Sequence, residues 1–179
     1  MNKWLVKMIK TGRQSLTTKQ TFFHYFFALA FPLSCMGLCF ILLELFDVSA
    51  HQKSYIQSKV NTYSLYIGLA YFVRQYMSLS MSFAPILIDH SGFESVVNKM
   101  VQDNNWVIES KGDGFIVCTI PFKWNNWGTL MTFVKTDDGV LYNSICDLYN
   151  RPSTTSFGQN ARNMKIIQKA LDDASRKDG

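Results

Sequence analysis

The sequence predicts a membrane α-helical hairpin of two transmembrane helices followed by a small α+β domain. That domain is expected in the order α-β-β-β-β-α with an antiparallel meander sheet. Three observations predict this class. Residues 20–43 carry no formal charge. Residues 60–88 repeat the pattern with Arg74 as their one charged residue. From Asp89 onward the apolar spacing changes to one helical period, four short strand-like runs and a second helical period.

Residues 1–19 come first. They hold Lys3, Lys7, Lys10, Arg13 and Lys19 and no acid, so they read as a basic cytosolic arm. Trp4, Leu5, Met8 and Ile9 fall near one helical face, which suits a segment lying among lipid headgroups. The hairpin is expected over residues 20–88, with spans at about 22–46 and 60–80. At ~1.5 Å per residue the uncharged run reaches roughly 36 Å, enough for a ~30 Å hydrocarbon core. The aromatic cluster from Phe22 to Tyr25 marks its cytosolic entry, and Pro32 predicts a kink. Ser34 and Gly37, with Gly68 on the second span, are the candidates for close helix packing.

The polar residues 47–59 read as a loop. Arg74 is placed near the end of the second span, where its guanidinium reaches headgroups or a partner. Two spans and a basic arm put the N-terminus and the C-terminal domain on the cytosolic side of an integral membrane protein.

Residues 89–179 form the expected α+β domain. Ser91-Gly92-Phe93-Glu94 resembles a capping box, and Phe93, Val96, Val97, Met100 and Val101 share one helical face. Strands are expected at Trp106–Lys111, Phe115–Ile120, Thr129–Thr136 and Val140–Cys146. Gly112-Asp113-Gly114 and Asp137-Asp138-Gly139 supply turns. A final helix is expected near Asn160–Ser175, with Ile167 and Leu171 on its apolar stripe.

The net charge of +5 comes from the leader, because residues 89–179 hold ten bases and eleven acids. That distribution gives no reason to expect a nucleic-acid partner. His24, His51 and His90 are scattered, and Cys118 and Cys146 lack a second ligand at metal spacing. No metal, cofactor or catalytic set is therefore expected, and the chain does not read as an enzyme. Trp124 and Trp127, on one short turn, are the candidate contact for a partner or lipid. Asp147, Arg151, Asn160 and Arg162 are the candidate polar or anion site, at the start of the last helix.

The functional expectation is an integral membrane anchor or adaptor subunit. Its domain would dock a partner protein, and its partners would be membrane lipid and either another protein or further copies of itself. The alternative is a ligand-sensing effector whose domain binds a small anion and whose helices oligomerise to perturb the membrane.

Overall fold

The computed structural model describes residues 3–46, 49–120, 128–147 and 158–176, apart from the side chains of Phe27, Ala28 and Phe31. The chain divides into two compact units. One comprises Met1–Thr17 with Leu79–Gly179, and the other is Thr18–Ser78, inserted in sequence between them.

The larger unit is built on a five-stranded antiparallel sheet. Its strands are β1 (Ser82–Ala84), β2 (Val107–Gly112), β3 (Phe115–Ile120), β4 (Thr129–Lys135) and β5 (Val140–Cys146), in the spatial order β1-β5-β4-β3-β2. Three helices belong to the same unit: α1 (Lys3–Thr11), α4 (His90–Asn104) and α5 (Gln159–Ser175). Both faces of the sheet are covered. On one face Phe93, Val97 and Met100 of α4 and Ile167 and Leu171 of α5 pack among Ile116, Cys118, Met131, Phe133, Val140 and Tyr142. On the other, Leu5 and Met8 of α1 pack against Val134 and Leu141, and Trp4 sets its ring edge-on to Phe115 at 4.7 Å. Double-sided cover explains why β4 and β5 are buried along nearly their whole length instead of at alternate residues, with Thr129, Thr132, Asn143 and Ser144 among the buried positions.

The N-terminal segment thus supplies a structural layer of the sheet. Gly12, in the left-handed region at φ +60, ends α1 with its N–H on the Met8 carbonyl. The chain then pairs with the segment that returns from the insertion. Gln14 N–H donates to Leu79 O and Met81 N–H to Gly12 O, each at 2.8 Å. This short antiparallel neck joins, within the larger unit, the chain just before the inserted segment to the chain just after it.

The edges of the sheet are short or irregular. β1 has three residues, and β2 changes register between Ile108 and Ser110. Both features limit edge-to-edge pairing. Gly139 matters at the β1 edge, because a Cβ there would run into the Ala84 carbonyl and the Phe83 ring. Asp89 caps α4: its carboxylate accepts from Gly92 N–H at 2.6 Å and from Ser91 Oγ at 2.8 Å. These N–H and O–H donors hold the Asp89 carboxyl below the usual carboxylate range, the Gly92 bond most. The cap is therefore Asp89 rather than Ser91.

The second unit is a pair of antiparallel helices, α2 (Thr18–Leu45) and α3 (Ala50–Ser78). Their seam runs from Glu44–Lys53, a 3.3 Å ion pair, through Pro32 against Gly68 and Tyr25 against Phe72, to His24 at Gln75. Among the described residues, no helix is long and apolar enough to cross a membrane. This finding overturns the transmembrane hairpin and, with it, the integral-membrane location and the cytosolic assignment of both ends. The expectation had weighed formal charge, a weaker condition than apolarity. Residues 47–59 were expected as a loop, yet α3 begins at Ala50 and carries Gln52, Lys53, Gln57, Lys59 and Asn61 in its first half. Its cleaner stretch, Tyr63–Val73, spans only roughly 16 Å of helix. In α2, Gln20, Thr21, His24 and Ser34 are polar despite being uncharged. The four-strand sheet is likewise corrected to five strands by the addition of β1.

Candidate functional site

Three places in the fold combine features that could carry function. The first is a buried polar web where α5 meets β4 and β5. Asn163 is fully buried. Its Nδ2 donates to Thr129 Oγ1 at 2.9 Å and to Ser144 Oγ at 3.1 Å, and its Oδ1 accepts from Gln159 Nε2 at 2.9 Å. Ser144 Oγ donates to Asn160 Oδ1 at 3.2 Å, and Asn160 Nδ2 points at Cys146 Sγ at 3.8 Å. Asn163 thus finds partners for both ends of its amide, which makes the web a device for fixing the register of α5 on the sheet.

Asp147 follows directly after Cys146 and is buried. Its N–H donates to Gly128 O at 3.2 Å, and Gly128 has φ +74. Burial raises the Glu109 carboxyl above its usual range, and the negative charge of Asp147 adds to the effect. Burial, with Glu109 contributing, pushes the Cys118 thiol up to about 12, so at neutral pH it is a packed thiol and not a nucleophile. Among the described residues no group of three or more His, Cys, Asp or Glu side chains could hold a metal ion.

The opposite face of the sheet has its own polar contact. Gln14 Nε2 donates to Thr132 Oγ1 at 3.0 Å, and Asn143 Nδ2 donates to Gln14 Oε1 at 3.2 Å. All three residues are buried. They tie the chain just before the insertion to the centre of the sheet.

The second place is a groove between α4 and α5, about 490 Å³ in volume. Val96, Met100, Ile166 and Ala170 give it an apolar floor, and Lys99, Asp103, Lys169 and Asp173 line its rim.

The third is the outer surface of the helical pair. Phe22, Phe26, Leu29, Leu33 and Phe40 recur at intervals of three or four residues, with Gly37 in the remaining slot, and are 46–63% exposed. Phe22 and Phe26 stack with ring centroids 5.2 Å apart. On α3, Leu65, Tyr66, Leu69 and Met77 are also more than half exposed. Among the described side chains of the pair, the buried ones are Ser64, Gly68 and Gln75 of α3 and His24 and Pro32 of α2, so the large apolar residues face outward. His24 Nε2 lies 2.9 Å from the Gln75 carbonyl, which Ser78 Oγ also reaches at 2.7 Å. Gln75 lies in the last turn of α3, where carbonyls lack helical partners, so these two donors close the helix end. Burial holds the His24 imidazole below its ordinary pKa, although the bond to Gln75 works the other way.

The residues singled out from sequence fall in different places. Gly68 lies on the α2–α3 seam, where a Cβ would sit 3.1 Å from Pro32 Cγ. Ser34 is exposed and donates to Ala30 O at 2.8 Å, and nothing lies within 4 Å of a Cβ placed at Gly37. Arg74 is exposed on α3. Asp147 is buried, Asn160 belongs to the polar web, and Arg162 is exposed on α5 with its N–H on the Gly158 carbonyl. Trp124, Trp127 and Arg151 lie outside the described residues.

Asn163 and Gln14 were missed, and His24 was read only as part of the aromatic entry cluster. For Asn163 a signal existed: it lies four residues before Ile167 and eight before Leu171, in phase with the buried stripe. A polar residue in that slot implies buried hydrogen-bond partners. No protein-family model matches this chain, and neither a curated protein nor a solved structure is similar to it.

Proposed function

We propose that this chain is a non-enzymatic docking subunit whose helical pair packs its outer apolar surface against helices of a partner protein. One observation carries the reading: the row of large apolar side chains on α2, from Phe22 to Phe40, is exposed. At about half exposure of ~150–200 Å² each, that row alone leaves roughly 500 Å² of apolar surface. With the exposed side chains of α3, the unit reaches the ~800 Å² that one partner contributes to a standard interface. Free monomers rarely leave that much uncovered. The three-to-four spacing presents a straight ridge, and the natural counterpart of a helix ridge is the groove of another helix.

The test is reconstitution. The full chain is isolated with its bound protein, and that protein is then produced separately and recombined with wild type, Leu33→Asp and Leu65→Asp. A stoichiometric complex with wild type that either substitution abolishes, at unchanged helix content, supports the proposal. Equal complex formation by all three refutes it. So does a wild-type chain that takes up lipid vesicles and no protein.

A further inference from the structure

The groove between α4 and α5 belongs to the other unit and is independent of the helical pair. Its walls run from Gly92 to Asn104 on α4 and from Ile166 to Ala174 on α5. The α4 wall is roughly 18 Å long, about three helical turns. Gly92, Val96, Ala170 and Ala174 are small, so the groove has room for larger side chains from outside. The Val96, Ile166, Ala170 and Ala174 side chains are only partly buried although they touch the core.

The rim has a regular charge pattern. Each wall carries a lysine with an aspartate four residues later: Lys99 and Asp103 on α4, Lys169 and Asp173 on α5. These four are exposed, and none has an ion-pair or hydrogen-bond partner among the described residues. Charged neighbours on the same helices behave differently. Glu94 receives Lys111 at 2.7 Å, and Asp172 receives Gln168 at 2.8 Å.

From this combination we infer that the groove is a docking site for an amphipathic helix of another protein. The incoming helix inserts large apolar side chains at i, i+3 or i+4, and i+7 between Val96 and Ala170. Acidic and basic residues flank them and pair with the rim. Rim charges of both signs cancel in sum, so the groove selects a charge pattern and gains little from net charge. A two-helix wall with an apolar floor is completed by a third helix, which covers what remains exposed of the partly buried Val96, Ile166 and Ala170 in one layer.

A displayed library of ~14-residue helices, about four turns each, is selected against the full chain and then synthesised as free peptides. The expected winners carry an apolar ridge with at least one acid beside it. Their affinity falls about tenfold or more in a Lys99→Glu, Lys169→Glu double variant, and peptides with reversed charges recover it. Both lysines are exposed, so the variant keeps its fold, which circular dichroism checks. Ala170→Glu fills the floor and removes binding without touching the rim. Three outcomes would overturn the inference: no enrichment of amphipathic helices, winners indifferent to both variants, or a groove occupied by a second copy of the chain. The last would register as concentration-dependent dimers that the double variant dissociates.

Discussion

Alanine at Gly68 and at Gly37 should act in opposite directions, and the difference measures how tightly α2 and α3 are seated. A Cβ at Gly68 would lie 3.1 Å from Pro32 Cγ and 3.6 Å from Pro32 Cβ. Ordinary carbon contacts sit at ~3.5–4.0 Å, so the ring must retreat by a few tenths of an ångström. A proline ring within a helix has little freedom to do so. Two effects compete at Gly68. Replacing an interior helical glycine by alanine gains ~1 kcal/mol in propensity. Forcing a methyl into a packed seam costs ~1–3 kcal/mol. The balance is a loss of about 0–2 kcal/mol. At Gly37 nothing lies within 4 Å of the added carbon, so only the propensity gain of ~1 kcal/mol remains. The assay is amide hydrogen exchange of the α2 and α3 peptides in the full chain, which reports opening of this unit separately from the sheet. Slower exchange in Gly37→Ala and equal or faster exchange in Gly68→Ala is expected. Equal protection by both would show that the Pro32–Gly68 contact does not set the spacing of the helices.

Other consequences follow from the same geometry. Asn163→Ala removes three hydrogen bonds from a fully buried position and should cost ~2–4 kcal/mol in urea unfolding of the sheet unit. Gly139→Ala drives a methyl into the Ala84 carbonyl and the Phe83 ring; faster amide exchange at β1, with β3 and β4 unchanged, is the expected signature. The helical pair should weaken in acid. His24 titrates below its ordinary 6.5 in the folded unit, so the unfolded chain binds more protons in that range. Its contribution is complete above the unfolded value and is lost as pH falls through 6.5 toward the lower folded value. His24→Gln should flatten this part of the pH profile, as read by exchange of the α3 amides near Gln75.

Local periodicity carried the sheet unit well and the long-range pairings poorly. The runs Phe115–Ile120 and Val140–Cys146 have the bounds expected of them, because β-branched residues and flanking glycine turns are local signals. Asn105 ends α4 in the left-handed region at φ 54, a position where asparagine is informative by itself. β1 was missed because three residues carry no periodicity and its partner, β5, lies far along the chain. The same reason hid α1: Leu5 and Met8 look like a headgroup-facing stripe until Val134 and Leu141 provide their cover.

The membrane reading failed for a different reason. It counted charges and gave too little weight to the glutamine, serine, threonine and asparagine residues of α3. Of the candidate positions, Gly68 had a local rationale in its missing side chain, and a contact with Pro32 gives that a physical meaning. The α4–α5 groove was not legible, because its two walls are separated in sequence by the four strands β2 to β5.

If a partner protein covers the outer surface of the helical pair, a reactive probe placed on that surface meets protein. The measurement is photo-crosslinking from single positions, with a benzophenone residue at Leu33 or Leu65 in the intact chain inside the cells that make it. Both positions are more than 60% exposed. Protein adducts of discrete mass are expected from both positions, and none from an equivalent probe on the exposed polar face of α5 at Lys165. Adducts confined to lipid, or an absence of discrete protein adducts at both positions, would contradict cover by a partner protein.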